Sequence, residues 1–296
     1  MQSRHLAATA GLVLAVTWNP IPTFPQQRRG EQVLSERFDI GPGGVLRVNV
    51  PDGDIEIETH GDSWVDIEVW VWGRDLEWAR EVFERMAFEV RSQGNTVSVT
   101  ARSARRRGSE YRRHGGVGLT VAIRIPRRFD ADITTEDGDI LLADLDGDVT
   151  LNSSDGDLMV GRIRGLAAHF ETSDGDITVA ELEMETTVVR TSDGDIDLRT
   201  VAGSVRASTS DGDIRITLRQ PADVDLRTSD GDITIYAPPT LQANVSFDAE
   251  DLDIARSFTI VGRVSRRRVT GDMNGGGPRL DASTSDGSIS LRVSTR

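Results

Sequence analysis

Pairs of aspartates recur along this chain at a nearly constant spacing. The tetrapeptide Asp-Gly-Asp-Ile, once as Asp-Gly-Asp-Leu, has its first copy in this series at Asp137, and the steps between successive copies are 18, 19, 19, 18 and 19 residues. If equivalent positions stack, the pairs form two columns of carboxylates, and carboxylate oxygens are the ligands that calcium prefers. The candidate cation ligands are Asp155, Asp157, Asp174, Asp176, Asp193, Asp195, Asp211, Asp213, Asp230 and Asp232.

The same residues also have a purely structural interpretation. Glycine supplies the positive φ that a tight corner needs, and a neighbouring aspartate can accept hydrogen bonds from nearby backbone N–H groups. The spacing matches neither an EF-hand loop nor the Gly-Gly-x-Gly-x-Asp nonapeptide of calcium-binding β-rolls. Both interpretations stay open, and calcium is the cofactor that the pattern allows.

Catalytic chemistry is poorly supported by the residue types. The chain has no cysteine, and its histidines are His5, His60, His114 and His169, with no nucleophile and base at a suggestive spacing. The two carboxyls of a catalytic pair should lie in environments that differ from each other and from the rest of the chain, whereas these aspartates are periodic and nearly equivalent. We therefore expect no enzyme activity; a polysaccharide-active β-helix enzyme is the remaining enzymatic alternative.

A basic segment interrupts the acidic pattern. Arg105, Arg106, Arg107, Arg112 and Arg113 lie in one polar stretch and could bind phosphates or acidic sugars, although a solvated loop has the same composition. A further alternative is that this segment, or Arg266 to Arg268, docks on acidic residues of the same chain or of another copy. Such docking would make self-assembly sensitive to salt.

Charge is distributed unevenly along the chain. Residues 130–255 hold 29 acidic and 8 basic residues, a net charge of −21, while the remainder has a net charge of +7. All the basic residues are arginine. An acidic segment of this length should repel nucleic acid and attract cations or basic partners, so we expect no nucleic-acid binding.

A fixed period of about 20 residues is typical of stacked-repeat folds. Within one repeat Ile177 and Val179 share a face, as do Thr187, Val189 and Thr191, so each repeat predicts two short strands. Such a unit cannot bury its apolar face alone. The pattern favours a mainly β protein, a β-solenoid (β-helix) of about seven coils of 18–21 residues; the alternative is an antiparallel β-meander with hairpin turns at each Asp-Gly.

The chain before the repeats predicts a different organisation. Residues 33–128 read as a small α+β cap, in which Asp75 can cap a helix over about 75–86 that carries an apolar stripe. The repeats then occupy 129–296. The predicted domains are thus a leader with a Pro-rich linker (1–27), the cap and the solenoid.

The leader resembles a secretory signal peptide. An apolar run from Leu6 to Trp18 follows Arg4 and His5, and it is shorter than the roughly 20 residues that span a bilayer. A buried helix or an uncleaved anchor is the alternative. We expect export to the periplasm, the cell surface or the medium, with no transmembrane span beyond the leader and no disulfides.

Three stretches together resemble the bacterial putative-adhesin family of β-strand-repeat domains. They are VAIRIPRRFDADITTEDGDI from Val121, the TSDGDI repeats, and GDMNGGGPRLDASTSDGSISL from Gly271. The resemblance covers roughly residues 40–293 and implies an exported or envelope-associated β-solenoid without known catalytic activity. The long arginine-rich segment and the roughly 35-residue last spacing depart from the family pattern.

These observations predict a non-enzymatic exported β-solenoid that serves as a cell-surface or envelope scaffold or adhesion module. A self-assembling structural protein is the alternative, because solenoids expose strand edges at their ends. The expected partners are a cell-wall or surface glycan, or another copy of the chain.

Overall fold

The computed structural model describes residues 30–104 and 115–294. The predicted leader lies outside the described residues. So do the arginines of the predicted anion site, which are Arg105, Arg106, Arg107, Arg112 and Arg113.

Short strands and a helix form the first part of the chain. They are β1 (Glu31–Phe38), β2 (Gly44–Asn49), β3 (Asp54–His60), β4 (Val65–Gly73), α1 (Leu76–Met86), β5 (Glu89–Gln93), β6 (Thr96–Thr100) and β7 (Val117–Pro126). Asp75 is the N-cap of α1, because its side chain accepts a hydrogen bond from the N–H of Trp78 at 3.1 Å. The helix buries Trp78, Ala79, Val82 and Met86.

Strands of the repeats make up the rest. They are β8 (Phe129–Thr134), β9 (Ile140–Leu142), β10 (Leu145–Asp146), β11 (Val149–Asn152), β12 (Leu158–Glu171), β13 (Ile177–Arg190), β14 (Ile196–Ser208), β15 (Ile214–Leu218), β16 (Val224–Arg227), β17 (Ile233–Ala237), β18 (Ala243–Asp248), β19 (Asp251–Ile254), β20 (Ile260–Val264), β21 (Arg268–Met273), β22 (Arg279–Ser283) and β23 (Ser288–Val293).

Equivalent strands of successive repeats pair in parallel and in register. Ile177 lies beside Ile196, Ile196 beside Ile214, and Ile214 beside Ile233. Parallel pairing of neighbours requires the chain to go around once per repeat, which a meander of hairpins cannot do. The β-solenoid prediction is therefore confirmed, and the antiparallel meander is excluded.

Side chains alternate as the sequence pattern predicts. Ile177 and Val179 are fully buried, and Val189 with the flanking Thr187 and Thr191 is also buried. The equivalent aliphatic residues of each coil join one continuous core along the rod. Because each inward side chain contacts the same residue type in the coils on either side, a short repeat can bury an apolar face that it could not bury alone.

Two faces of the solenoid meet at each Asp-Gly-Asp corner. Strands that precede the corner form the first face, in the order β5, β6, β2, β8, β11, the ends of β12, β13 and β14, β16, β22, β18, β21 and β20. Strands that follow it form the second face, from β1 to β19. Each face therefore ends in one strand at either end of the rod.

Order in space departs from order in sequence at the C-terminal end. The last repeat, β22 with β23, lies between the coil of β16 and β17 and the coil of β18 and β19. The chain thus builds the outer coil first, turns back through the hairpin of β20 and β21, and then inserts its last coil. This insertion explains the long spacing between the corners at Asp251 and Asp286.

The N-terminal end shows the same kind of exchange. Strands β2 and β3, with the early Asp52-Gly-Asp corner, lie between the coil of β6 and β7 and the coil of β8 and β9. Strands on both sides of the predicted boundary at 128 are therefore hydrogen-bonded in one stack.

A helix that crosses a membrane must be both long and apolar. Within residues 30–104 and 115–294, no helix meets both requirements.

Candidate functional site

The Thr-Ser-Asp-Gly-Asp corners stack into a ridge along the rod. In each coil the N–H groups of the serine and of the first aspartate point at one carbonyl of the coil before. Thus Ser192 and Asp193 both donate to the carbonyl of Ser173, at 2.9 and 3.0 Å. The corners are therefore held in register by the backbone itself.

The second aspartate of each corner is tied into this stack. We call these residues the second Asp column; its members are Asp54, Asp139, Asp157, Asp176, Asp195, Asp213 and Asp232. The Oδ1 atom of each accepts a hydrogen bond from the backbone N–H of the equivalent residue in the next coil, at 2.7–3.3 Å. One oxygen of every carboxylate in this column is thus used to hold the next coil.

The first aspartates have a different role. The first Asp column comprises Asp137, Asp155, Asp174, Asp193, Asp211, Asp230 and Asp286, and every member is exposed. Their carboxylates accept no hydrogen bond from the described residues in the repeats. Two such charges about 5 Å apart repel by about 0.8 kcal/mol in bulk water, so a cationic partner would relieve this repulsion. Because the fold does not use these carboxylates, this column is the part of the ridge that is free to bind a partner.

A buried threonine closes four of the corners from the inside. The hydroxyl of Thr191 donates to the carbonyl of Gly175 at 3.0 Å and accepts from the N–H of Gly194 at 3.2 Å. Equivalent bonds are made by Thr209, Thr228 and Thr284. These hydroxyls satisfy buried backbone groups, so they are consumed by the fold.

The glycine of the corner is required for a reason that the sequence interpretation missed. A positive φ was expected, but of the Asp-Gly-Asp glycines only Gly53 has one. A Cβ on Gly212 would instead lie 1.9 Å from the carbonyl oxygen of Gly194, and the same conflict recurs at the other corners. Glycine is needed because successive corners stack in direct backbone contact.

The cation prediction is not tested by the structure. Within residues 30–104 and 115–294, no group of three or more His, Cys, Asp or Glu side chains is arranged to hold a metal ion. The early corner at the N-terminal end of the ridge is a separate case. Burial raises the pKa of Asp54 above its ordinary value, the hydrogen bond from the Asp139 N–H opposes that rise, and the charge of Asp139 adds to it.

Two of the arginines at 266–268 do bind acidic residues of the same chain. Arg266 Nε lies 3.1 Å from Asp251 Oδ1, and Arg268 forms an ion pair with Asp248. Both acidic partners belong to the outermost coil. The turn of the β20–β21 hairpin is thus fixed against the end of the rod.

Sequence reasoning missed the ionic groups outside the corners. Arg124 lies within 3.9 Å of Glu58, Asp66 and Glu68 on the second face. A second set joins Arg162 and Arg219 to Glu181, at 3.6 and 3.0 Å. The partners of Arg124 lie on separate strands at no repeat spacing, so the sequence pattern could not have indicated them. Glu181 lies 19 residues after Arg162 and 38 residues before Arg219, one and two repeat periods, so the period could have indicated that set.

Solved structures with a similar arrangement come from several bacteria. One is a putative adhesin from Bacteroides fragilis, at 12% identity and a TM-score of 0.43, covering 88% of this chain and 96% of that one. A putative lipid binding protein from Parabacteroides distasonis has 15% identity and a TM-score of 0.46, with 87% and 96% covered. A putative cell adhesion protein from Clostridium sporogenes has 10% identity and a TM-score of 0.31, with 89% and 100% covered.

At these identities and TM-scores the solved structures carry no argument about function. No protein of curated function matches the chain. The match to a family is of a different kind, because the model of the Toastrack DUF4097 family aligns with residues 45–292, which include the early corner, the repeats and the inserted last coil. The resemblance seen in the sequence is thereby confirmed: this chain belongs to the Toastrack DUF4097 family.

Proposed function

We propose that this protein is a non-enzymatic, exported β-solenoid that acts as a cell-surface or envelope scaffold or adhesion module. The observation that carries the proposal is the first Asp column. It is a row of exposed carboxylates on a rigid support, and the fold makes no use of their oxygens in the repeats. Repetition of one exposed group along a rod suits attachment to an extended partner, because many weak contacts add up.

The inner chemistry of the corners supports a non-enzymatic role. The second Asp column and the buried threonines are engaged in stacking, and their environments are nearly the same in every coil. A catalytic pair needs two carboxyls in unlike environments. The ridge instead offers one uniform anionic surface, which favours amine-bearing glycans or basic proteins as partners.

Export is tested by following the full chain in the cells that make it. We expect the protein in the envelope fraction or the medium, with an N-terminus that begins after residues 1–27 when measured by mass spectrometry. A full-length protein confined to the cytoplasm would contradict the proposal.

Adhesion is tested by co-sedimentation of the purified protein with insoluble cell-wall glycan. A variant with Asp174→Asn, Asp193→Asn and Asp211→Asn should bind less, because the ridge has lost three charges. The matched control changes Glu84→Gln, Asp132→Asn and Glu185→Gln, three exposed acidic residues away from the corners. Equal losses in both variants would show that net charge, rather than the ridge, controls binding.

A self-assembling structural protein is the alternative. Sedimentation at low and high salt separates the two roles, since assembly through ionic contacts should weaken as salt rises.

A further inference from the structure

The β20–β21 hairpin leaves one strand edge open at the C-terminal end of the rod. Strand β20 pairs with β21 and, among the described residues, with no other strand. The outer edges β1, β5 and β19 each carry at least two charged residues, and β1 also has a bulge. β20 carries a single charge, Arg263. Charged side chains and bulges protect an edge strand from pairing with another chain, so β20 is the least protected of these four edges.

Hydrogen bonds at both ends of β20 fix which backbone groups face outward. The N–H of Asn274 donates to the carbonyl of Thr259, and the N–H of Ser265 donates to the carbonyl of Arg268. Bonded and non-bonded pairs alternate along an antiparallel ladder. The N–H and C=O groups of Ile260, Gly262 and Val264 must therefore point away from β21.

The side chains of this edge are unusually exposed for their type. Val261 is 72% exposed and Val264 is 66% exposed, the highest values among the exposed large apolar residues of the described chain. Gly262 lies against Gly271, and a Cβ on it would meet the Thr270 carbonyl oxygen at 2.1 Å. The centre of the edge is thus bare backbone with an exposed valine on either side.

We propose that β20 pairs antiparallel with β20 of a second copy, about a two-fold axis at Gly262. In this register Gly262 lies opposite its own counterpart and Ile260 lies opposite Val264 of the second copy. Each of these three positions presents an outward N–H and C=O, so about six hydrogen bonds form. Val261 then packs on the aliphatic stem of Arg263 of the second copy.

A second copy fits this edge because the edge is complementary to itself. Each residue whose backbone N–H and C=O point away from β21 lies opposite another such residue of the second copy. Arg263 lies opposite Val261 of the second copy rather than opposite another arginine. Two of the three arginines in the adjacent turn, Arg266 and Arg268, are paired with Asp251 and Asp248 of their own chain, which reduces the positive charge that the second copy meets. The dimer would join two first faces into one sheet, with the two ridges on opposite edges of it, because the first-face strands of the two copies would run in opposite directions. It does not rest on the proposed function.

Mass measurement by light scattering or sedimentation tests the dimer. We expect the mass to rise from monomer to dimer between about 1 µM and 1 mM. Val261→Arg places like charges opposite Arg263 at two symmetric contacts, whereas Val261→Glu places opposite charges there. Opposite charges at a cross-strand pair stabilise it and like charges destabilise it, so the Glu variant should dimerise at least about tenfold more tightly than the Arg variant. Equal affinities, or a monomer throughout, would overturn the proposal.

A disulfide test fixes the register. The chain has no cysteine, so Val261→Cys and Arg263→Cys each introduce the only thiol. In the proposed pairing these positions form a non-hydrogen-bonded pair, with Cα atoms about 4.5 Å apart. Oxidation of an equal mixture should give the mixed dimer, while either variant alone should cross-link far less. Cross-linking that is equal in all three samples would contradict this register. Binding of a different protein, without self-association of the purified chain, would contradict a second copy as the partner of β20.

Discussion

The backbone N–H of Asp195 donates a hydrogen bond to Oδ1 of Asp176, 2.8 Å away in the preceding coil. The same bond joins each pair of neighbouring corners from Asp54 to Ser288. A residue that looks like a metal ligand in the sequence is thus also a linker between coils. The two aspartates of one corner can therefore be separated by mutation.

Asp195→Ala should destabilise the protein by about 1 kcal/mol, because the N–H of Asp213 loses its acceptor. Asp195→Asn keeps an oxygen at that place and should cost much less. The control is Asp193→Ala in the exposed first column, where a change of less than about 0.5 kcal/mol is expected. Urea unfolding measures all three, and equal losses at 193 and 195 would contradict the assigned roles.

Gly212→Ala should cost about 3 kcal/mol or prevent correct stacking, since its Cβ would lie 1.9 Å from the Gly194 carbonyl oxygen. Gly61→Ala is the matched control: it has a φ outside the left-handed region and no heavy atom within 4 Å of the new Cβ. Thermal unfolding should shift strongly for the first variant and little for the second. A mild effect at Gly212 would show that the corners can move apart.

Thr191→Val removes a buried hydroxyl, so the Gly175 carbonyl loses a donor and the Gly194 N–H loses its acceptor. We expect the free energy of unfolding to fall by about 1–3 kcal/mol. Thr135 occupies the same corner position but its buried Oγ1 has no hydrogen-bond partner. Thr135→Val should therefore be neutral or stabilising. Chemical denaturation of the two variants provides the comparison, and a similar loss in both would refute it.

Asp54→Asn should stabilise the protein at neutral pH. Burial raises the pKa of Asp54, so the folded state binds this proton more tightly than the unfolded chain does. The charged form costs stability above the folded-state pKa, and that cost disappears as pH falls below the ordinary value of 3.8. The advantage of the variant over the unmutated protein should shrink over the same range. Stability curves at several pH values measure this difference.

The repeat pattern was sufficient to predict the solenoid and the inward side chains. Ile177, Val179 and Val189 recur at the two-residue spacing of a strand and are buried, and a local periodicity of this kind is enough to predict which side chains face the core. The reason for the corner glycine could not be predicted in the same way. It depends on the distance between Gly212 and Gly194, which belong to different coils and are set by stacking.

By itself, the sequence determined that each repeat makes a coil, which side chains fill the core, and where the exposed carboxylates lie, because these follow from a local period. Only the tertiary structure decided that the coils at both ends exchange places and that Asp176 bonds the next coil while Asp174 stays free. It also decided that β20 keeps an open edge. Such features depend on which distant strand completes a backbone ladder, and the free energy of that choice is shared among residues far apart in the chain.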